Sequence, residues 1–333
     1  MADADAYAAA GVDIDESDRA VSALVGVLKG IEVPSRAVDL PGHFASVLRL
    51  TDELGIAFAT DGVGSKLIVA EETGRIDTVG IDCVAMNVND VICVGAEPIA
   101  LVDYIAVEQA DPDMLAQIAK GLAVGAQAAG CEIPGGEVAV LPELIRGHPS
   151  PHGFDLCASV IGTVKLHEIV TGDEVAPGDA LVGLPSSGLH SNGYTLARSA
   201  LSCLDYDDTP PELGGLTVAD VLLEPTTIYV RAVLELLRSD IDVHGLAHIT
   251  GGGTDNLARL RDDVTYEVTD PLDVPPVFGL VQKLGDVSDA EMRRVFNMGC
   301  GFVCVVPEER AKDAEQLLAA HHPGTRRIGS VQT

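Results

Sequence analysis

Apolar positions recur along this chain with two different periods, which predicts both helices and strands. Residues 17–30 and 113–129 carry apolar side chains at helical spacing. Apolar and β-branched runs at 44–60, 98–107 and 155–164 predict strands. Further helices are predicted at 67–73, at 80–95, after Pro225 and at 308–320, and further strands in "ALVGLP" and "CGFVCVVP". Because strands and helices mix in both halves, we expect an α+β protein made of two α/β domains.

A change of composition at 165–180, "KLHEIVTGDEVAPGDA", separates the two halves. It predicts an N-terminal domain at 1–168 and a C-terminal domain at 169–333. The second domain is expected to hold a mixed sheet with helices on one side. Residues 131–137, "CEIPGGE", are predicted to lead into a loop, and 244–260 are predicted to be a loop that opens a helix.

The charge balance excludes one class of partner. The chain has 333 residues, with 21 Lys and Arg against 51 Asp and Glu, and a net charge of −30. Binding of nucleic acid through a basic surface is therefore not expected. The acidic, lysine-poor composition predicts a halophilic protein that stays soluble at high salt. An apolar run of about 18 residues is missing, and the N-terminus lacks a signal-peptide pattern, so we expect a cytoplasmic protein with no membrane span.

Three glycine-rich loops are candidates for phosphate binding. They are "TDGVGSK" (60–66), "SSGLHSNGYT" (186–195) and "ITGGGTDN" (249–256). Glycine lets successive backbone N–H groups converge on an anion, and a loop that opens a helix adds the positive end of the helix dipole. The first loop is not a Walker loop, because Ser65 precedes Lys66. Ordinary turn chemistry is the alternative for each loop alone, whereas the three together favour phosphate.

Four acidic residues lie near these loops: Asp61, Asp82, Asp90 and Glu137. Carboxylates of this kind suit Mg²⁺, which binds through a few carboxylates together with the phosphates of a substrate. Asp82 and Asn89 are seven residues apart and share one face of the predicted helix, and Asp90 is one residue's rotation away. Helix capping by Asp61 and a solvated position for Glu137 are the alternatives.

Two histidines accompany the second and third loops. His190 lies inside "GLHSNGY" and His248 precedes "ITGGG". An imidazole titrates near neutral pH, so His190 is a candidate for proton transfer or ligand contact. For His248 a structural role is an equal alternative.

These motifs together resemble the phosphoribosylformylglycinamidine cyclo-ligase family, from about residue 7 to about 330. The matching segments are "AGVDID" (10–15), "TDGVGSK" (60–66), "GIDCVAMNVNDVICVGAEP" (80–98), "GGE" (135–137), "GLHSNGYTLAR" (188–198), "EPTTIYVRAVLEL" (224–236), "HITGGGTDNLAR" (248–259) and "FNMGCGF" (296–302). The acidic and glycine core is shared with thiamine-monophosphate kinase and selenide-water dikinase. The resemblance implies ATP-dependent ring closure of formylglycinamidine ribonucleotide to aminoimidazole ribonucleotide, ADP and phosphate.

The resemblance also implies the site. Its N-terminal domains are expected to pair into a homodimer with ATP near the interface, and its C-terminal domain is expected to cover the substrate. Mg²⁺ is expected on Asp61, Asp90 and Glu137, while the use of K⁺ stays open. Mg²⁺–ATP is expected to contact Asp61, Gly62, Gly64, Ser65, Lys66, Asp82, Asn89, Asp90 and Glu137. The substrate is expected to contact His190, Ser191, Asn192, Thr250, Gly251, Gly252 and Gly253. Catalytic roles are expected for His190, Asp61 and Lys66.

The sequence departs from the family pattern in one loop. The family has a hydroxyl residue and a second acid where this chain has Val138 and Val140. Two other functions therefore stay open beside the cyclo-ligase. One is a small-molecule kinase of the same superfamily, and the other is a nucleotide-binding protein without activity.

Overall fold

The computed structural model describes residues 7, 10–11, 14–28, 30–31 and 33–333. The motif at 10–15 lies partly outside the described residues. The strands are β1 Ser46–Arg49, β2 Leu54–Gly62, β3 Glu97–Val107, β4 Glu132–Val140, β5 Phe154–Lys165, β6 Ala180–Pro185, β7 Gly245–His248, β8 Thr265–Val268, β9 Cys300–Val306 and β10 Arg326–Gln332. The α-helices are α1 Ile14–Leu28, α2 Lys66–Thr73, α3 Val79–Ile92, α4 Pro112–Ala129, α5 Tyr194–Ala200, α6 Val218–Leu222, α7 Val230–Leu237, α8 Pro276–Gly285, α9 Asp289–Val295 and α10 Ala311–Ala319.

Each half of the chain builds one five-stranded sheet. The first has the order β1-β2-β5-β3-β4, and the second has the order β7-β9-β6-β10-β8. This confirms the predicted α+β class. The first sheet is the mixed one, because β3 and β4 are parallel. The prediction of a mixed C-terminal sheet is wrong, since all its strand pairs are antiparallel.

Helix α3 is fixed by close backbone contact with α4. A Cβ atom on Gly80 would lie 2.3 Å from the backbone nitrogen of Leu122, and one on Gly121 would lie 2.6 Å from the carbonyl oxygen of Asp77. Only glycine allows this approach. Helix α4 begins where Asp111 accepts the N–H groups of Asp113 and Met114. The rigid contact sets the position of the polar face of α3.

The hydrophobic cores meet at the same helix. Val84 and Val88 of α3 are buried in the core under the first sheet, whereas Ile92 is buried in the core of the second. Helices α7 and α10 contribute Val233 and Leu318 to that second core. Helix α3 therefore connects the two halves, and residues on its polar face are within reach of both.

The two predicted loops contain strands. Residues 131–137 belong largely to strand β4, which lies at the edge of the sheet. An edge strand tolerates proline and glycine. Pro134 falls at an irregularity in the pairing with β3, and Gly136 leaves room for the Asp103 carboxylate. Residues 244–260 include β7, and a 3₁₀ helix at Gly253–Arg259 follows instead of an α-helix. None of the helices in the described part of the chain is long and apolar enough to cross a bilayer.

Candidate functional site

An ion pair between the first glycine loop and α3 lies at the centre of the candidate site. The Lys66 Nζ atom is 2.9 Å from Asp82 Oδ1, and both side chains are fully buried. The ammonium also donates to the backbone oxygens of His190 at 3.2 Å and Glu224 at 2.7 Å. Its three donors are thus occupied by protein groups. This geometry supports a structural role for Lys66 more than the expected contact with phosphate.

The polar face of α3 finds its partners in residues 226–229. Asp82 Oδ1 accepts the N–H of Thr226 at 2.8 Å and its hydroxyl at 2.6 Å. Asn89 accepts the N–H of Tyr229 at 3.0 Å and donates to the carbonyl of Thr227 at 2.8 Å. Since these backbone groups bind α3, helix α7 begins only at Val230. The expectation that Asp82 and Asn89 share a face is confirmed.

Asp61 is the last residue but one of strand β2 and is held by its neighbours. Asn87 of α3 clamps its backbone, accepting its N–H at 3.0 Å and donating to its carbonyl at 3.1 Å. Its carboxylate accepts the N–H of Gly62 at 2.7 Å. Burial, reinforced by the negative charge of Asp90, raises the pKa of Asp61 to about 6. Two carboxylates placed close enough to repel one another form a region that attracts a cation.

Asp90 is joined to the third glycine loop. Its Oδ1 atom lies 2.9 Å from Nδ1 of His248, a fully buried histidine at the end of β7. The Nε2 atom of His248 lies 3.5 Å from Asn89 Nδ2. The contact between Asp90 and His248 fixes the orientation of the Asp90 carboxylate, whose side chain remains 19% exposed. His248 therefore has a definite position in the site, which its sequence context left open.

A groove of about 560 Å³ opens beside Asp90. Its lining includes Thr60 and Ser159 from neighbouring strands and the ring of Phe44. The guanidinium of Arg259 lies 5.0 Å from the centre of that ring. The groove thus offers a carboxylate, hydroxyls and an aromatic face, with a cation near its edge.

Glu137 lies apart from the other acids. It is exposed on β4, where it pairs with Tyr104 of β3. Among the described residues, the ligand atoms of Asp61, Asp90 and Glu137 do not converge within 4.8 Å of one another. Mg²⁺ that is bound to nucleotide phosphates needs only a few protein carboxylates. Asp61 and Asp90 alone therefore fit such an ion.

His190 is buried in the second glycine loop. It has a φ of 61° and is 1% exposed. Its Nε2 atom accepts the N–H of Ser187 at 3.3 Å, so the proton of the neutral ring is on Nδ1, which has no hydrogen-bond partner among the described residues. Burial, with the charges of His248 and Lys66, holds the pKa of His190 well below its usual value. The ring is therefore a neutral N–H donor.

The three glycine loops meet in the folded chain. Ser65 Oγ lies 3.2 Å from Thr195 Oγ1, which joins the first loop to the second. A Cβ atom on Gly251 would lie 3.5 Å from the side-chain oxygen of Asn192, so the second loop also meets the third. Ser191 Oγ lies 3.2 Å from the hydroxyl of Thr226. Residues widely separated in sequence thus surround one region.

The remaining predicted residues belong to the first and third glycine loops. Gly64 has a φ of 73°, Gly252 of 108° and Gly253 of 55°, conformations that favour glycine. The N–H of Thr250 donates to Asn256 Oδ1 at 2.8 Å, which shapes the third loop.

Sequence reasoning missed several site residues. Asn87, Thr226, Asn256 and Arg259 form the contacts described above, and none of them was predicted. For Asn87 a signal existed, since it stands two residues before Asn89 in an otherwise apolar helix. Thr226 lies in a loop, and Asn256 and Arg259 lie in the short 3₁₀ helix Gly253–Arg259, so no long periodicity identifies these three residues.

Family models match both halves of the chain. Residues 42–164 match the N-terminal domain of AIR synthase related proteins. Residues 176–333 match the C-terminal domain of the same proteins.

Solved structures share the fold. The hydrogenase maturation protein HypE in complex with ATP has a TM-score of 0.61 at 25% identity, covering 87% of this chain and 79% of that one. The thiamine monophosphate kinase from Aquifex aeolicus has a TM-score of 0.60 at 16% identity, covering 97% and 96%.

Curated relatives are similar over nearly their whole length. The phosphoribosylformylglycinamidine cyclo-ligase of Methanothermobacter thermautotrophicus is 48% identical, over 98% of this chain and 94% of the relative. That of Thermococcus kodakarensis is 47% identical, over 95% and 92%. With this identity and both domain matches, the chain belongs to the phosphoribosylformylglycinamidine cyclo-ligase family.

Proposed function

We propose that this protein closes the imidazole ring of aminoimidazole ribonucleotide in purine biosynthesis. The substrate is formylglycinamidine ribonucleotide. The γ-phosphoryl group of ATP moves to the formyl oxygen, and the bond between that group and ADP breaks. The amidine nitrogen then attacks the formyl carbon, and phosphate leaves. The family membership and the convergence of three glycine loops on one region support this reaction.

Asp61 and Asp90 are the residues that would hold Mg²⁺ with ATP. The single observation that carries the proposal is this pair of carboxylates: burial of Asp61, reinforced by the negative charge of Asp90, raises the pKa of Asp61 to about 6. A bound Mg²⁺ would neutralise phosphoryl charge during transfer. The groove beside Asp90 would take the nucleotide, with Arg259 near its edge supplying positive charge.

His190 would act as a neutral hydrogen-bond donor. Its Nδ1–H is buried and has no partner in the part of the chain that the structure describes, and a donor of that kind stabilises charge that develops on a nearby oxygen. We assign it to the formyl oxygen of the substrate. Ser191, Asn192 and residues 250–253 would bind the ribose phosphate through hydroxyl, amide and backbone groups. Lys66 and Asp82 would fix the loops in place.

A direct assay tests this function. The protein is incubated with Mg²⁺, ATP and formylglycinamidine ribonucleotide in high KCl, and aminoimidazole product and ADP are followed separately. We expect both in equal amounts. Absence of both would overturn the proposal. ADP formed with thiamine monophosphate, but not with formylglycinamidine ribonucleotide, would instead establish the kinase alternative.

We also propose that the chain forms a homodimer through the outer face of its first sheet. Phe58 and Ile161 pair across β2 and β5 and are 38% and 40% exposed. Val102 and Tyr104 of β3 extend the patch at 46% and 39%. An apolar sheet face of this kind is typical of a protein interface. Phe58 and Ile161 also line the groove beside Asp90, so the interface would adjoin the nucleotide.

The net charge of the chain bears on the salt concentration at which the protein works. We propose a cytoplasmic enzyme that works at high salt, where counterions screen the repulsion of a net charge of −30. Binding of K⁺ at the site is left open and is to be measured directly. The division of the chain at residue 168 is likewise retained as a proposal.

A further inference from the structure

A second cluster of side chains that could bind a metal ion lies outside the candidate site, near the segment that connects the two sheets. Glu174 belongs to this connection, and Asp242 and His244 belong to the link between α7 and β7. One ligand atom from each of the three lies within 4.8 Å of the other two. The Nε2 atom of His244 is 3.7 Å from Asp242 Oδ2. They border a cavity of about 340 Å³.

The imidazole of His244 is oriented toward these acids by a buried carboxylate. Its Nδ1 atom lies 2.7 Å from Asp179 Oδ2, and the two side chains are only 16% and 9% exposed. Asp179 is itself fixed by the N–H of Ala176 at 2.8 Å. A carboxylate on Nδ1 places the proton there and leaves the Nε2 lone pair available, which is the common arrangement of a metal-bound histidine.

The charges at the cavity favour a divalent cation. Asp173, Glu174 and Asp242 lie on its wall, together with Glu168, whose charge Lys165 offsets. The nearby cations are occupied, since Lys165 pairs with Glu168 and Arg261 pairs with Asp263. One imidazole and two carboxylates form a donor set that suits zinc, with ligand distances of about 2.0–2.2 Å and therefore ligand–ligand separations of about 3.3 Å in a tetrahedron. The observed 3.7 Å between His244 and Asp242 is close to that spacing.

We propose that Glu174, Asp242 and His244 bind a zinc-class divalent ion that fastens the connection between β5 and β6 to the link between α7 and β7. Glu174 and Asp242 are exposed and can close on the ion with little rearrangement. The ion would balance the two carboxylate charges. It would not take part in the ring closure, because none of Asp61, Asp90 and His190 lines this cavity.

Zinc titration tests the site. Calorimetry with Zn²⁺ is carried out on the full chain in an Asp61→Asn background, so that the active-site acids do not add a second event. We expect one ion per chain, visible absorption when Co²⁺ replaces Zn²⁺, and a melting temperature that rises with Zn²⁺. His244→Gln and Asp242→Asn should each abolish all three signals.

Matched controls separate the site from general surface binding. His321 forms a 2.7 Å contact with Glu235 but has no third ligand in the described structure, so His321→Gln should leave Zn²⁺ binding unchanged. Asp240 lies two residues from Asp242 and is 90% exposed, so Asp240→Asn should also have no effect. Binding that survives both site variants, or an unaltered chain that binds no Zn²⁺, would overturn the proposal. Asp242 is exposed, so its variant remains informative even if His244→Gln misfolds.

Discussion

The ammonium of Lys66 lies 2.9 Å from the carboxylate of Asp82, and neither side chain is exposed to solvent. The same ammonium binds two carbonyls from the second half of the chain, 124 and 158 residues away. Burial lowers the pKa of Lys66, and the charge of Asp82 offsets only part of that shift. The lysine of the first glycine loop is thus a connection between the two halves.

Removing Lys66 should therefore destabilise the fold strongly. Lys66→Met leaves the Asp82 charge buried without its partner, and such losses cost about 3–5 kcal/mol. We expect a drop of this size in the free energy of unfolding by urea at constant KCl. Adding Asp82→Asn to Lys66→Met should recover part of it, because the buried charge is then gone.

An exposed ion pair provides the control for this prediction. Lys120 lies 2.9 Å from Asp77, but the side chains are 69% and 43% exposed. Lys120→Met should cost about 1 kcal/mol or less. Equal losses for the two lysine variants would show that the burial of Lys66 is unimportant.

Asp61→Asn should abolish turnover and yet stabilise the protein at neutral pH. Folding raises the pKa of Asp61 from 3.8 to about 6, so its charge is unfavourable in the folded state. The raised pKa stabilises the fold below about pH 4, and this contribution is lost as the pH rises through about 6. At pH 7.5 the variant should gain up to about 3 kcal/mol, whereas at pH 5 the gain should be smaller. Asparagine keeps the oxygen that accepts the Gly62 N–H.

Asp155 is a matched control for this pH dependence. Its carboxylate accepts the N–H of the next residue, Leu156, as Asp61 does with Gly62, but its side chain is exposed. Asp155→Asn should change stability little at either pH and should retain activity. A gain for Asp61→Asn that is equal at pH 5 and pH 7.5 would contradict the assigned cause.

Part of this site could be predicted from the sequence because its chemistry is local. Asp61 and His190 stand in short glycine-rich motifs, and Asp90 stands beside the polar face of a predicted helix, so each is a candidate on a local signal of its own. The contacts that assemble the site are not local. Asn87 clamps Asp61 across 26 residues, and Thr226 binds Asp82 across 144. Periodicity carries no information about such pairs.

The fold shows the same limit. Long periodic elements such as α4 and β5 were predicted close to their bounds, whereas β4 was missed. Pro134, Gly135 and Gly136 are unfavourable in a strand taken alone. The edge position and the Asp103 carboxylate, which fills the space beside Gly136, make the strand possible. These are tertiary effects, which local propensity does not contain.

His190→Asn should lower kcat by about 100-fold or more, the cost of losing one buried donor to a developing charge. Asparagine tolerates the positive φ of 61°, so the loop should keep its conformation. Because the pKa of His190 lies well below its usual value, its titration should leave no step in the kcat profile between about pH 6 and 8. Steady-state kinetics measures kcat and the KM for ATP separately and so distinguishes an effect on catalysis from one on ATP binding. His321→Asn, at an exposed site, is the control, and an unchanged kcat in His190→Asn would exclude the donor role.

Phe58→Lys should convert the proposed dimer into monomers. It places a charge on the outer face of the first sheet, where an apolar contact is proposed. Size-exclusion chromatography with light scattering measures the mass, and the KM for ATP should rise because Phe58 also borders the groove. Leu216→Lys is the control, since Leu216 is 52% exposed outside the first sheet. A monomeric parent protein at micromolar concentration would remove the basis for the interface.

Folding itself should depend on salt. A net charge of −30 repels itself at low ionic strength, and a Debye length of about 3 Å at 1 M salt nearly removes that repulsion. We expect far-UV circular dichroism to show loss of structure as KCl falls from multimolar to about 0.1 M. Choline chloride at equal ionic strength distinguishes general charge screening from a specific effect of K⁺. Recovery in both salts indicates screening, whereas recovery in KCl alone indicates a specific role for K⁺. Full structure and activity without added salt would contradict the halophilic assignment.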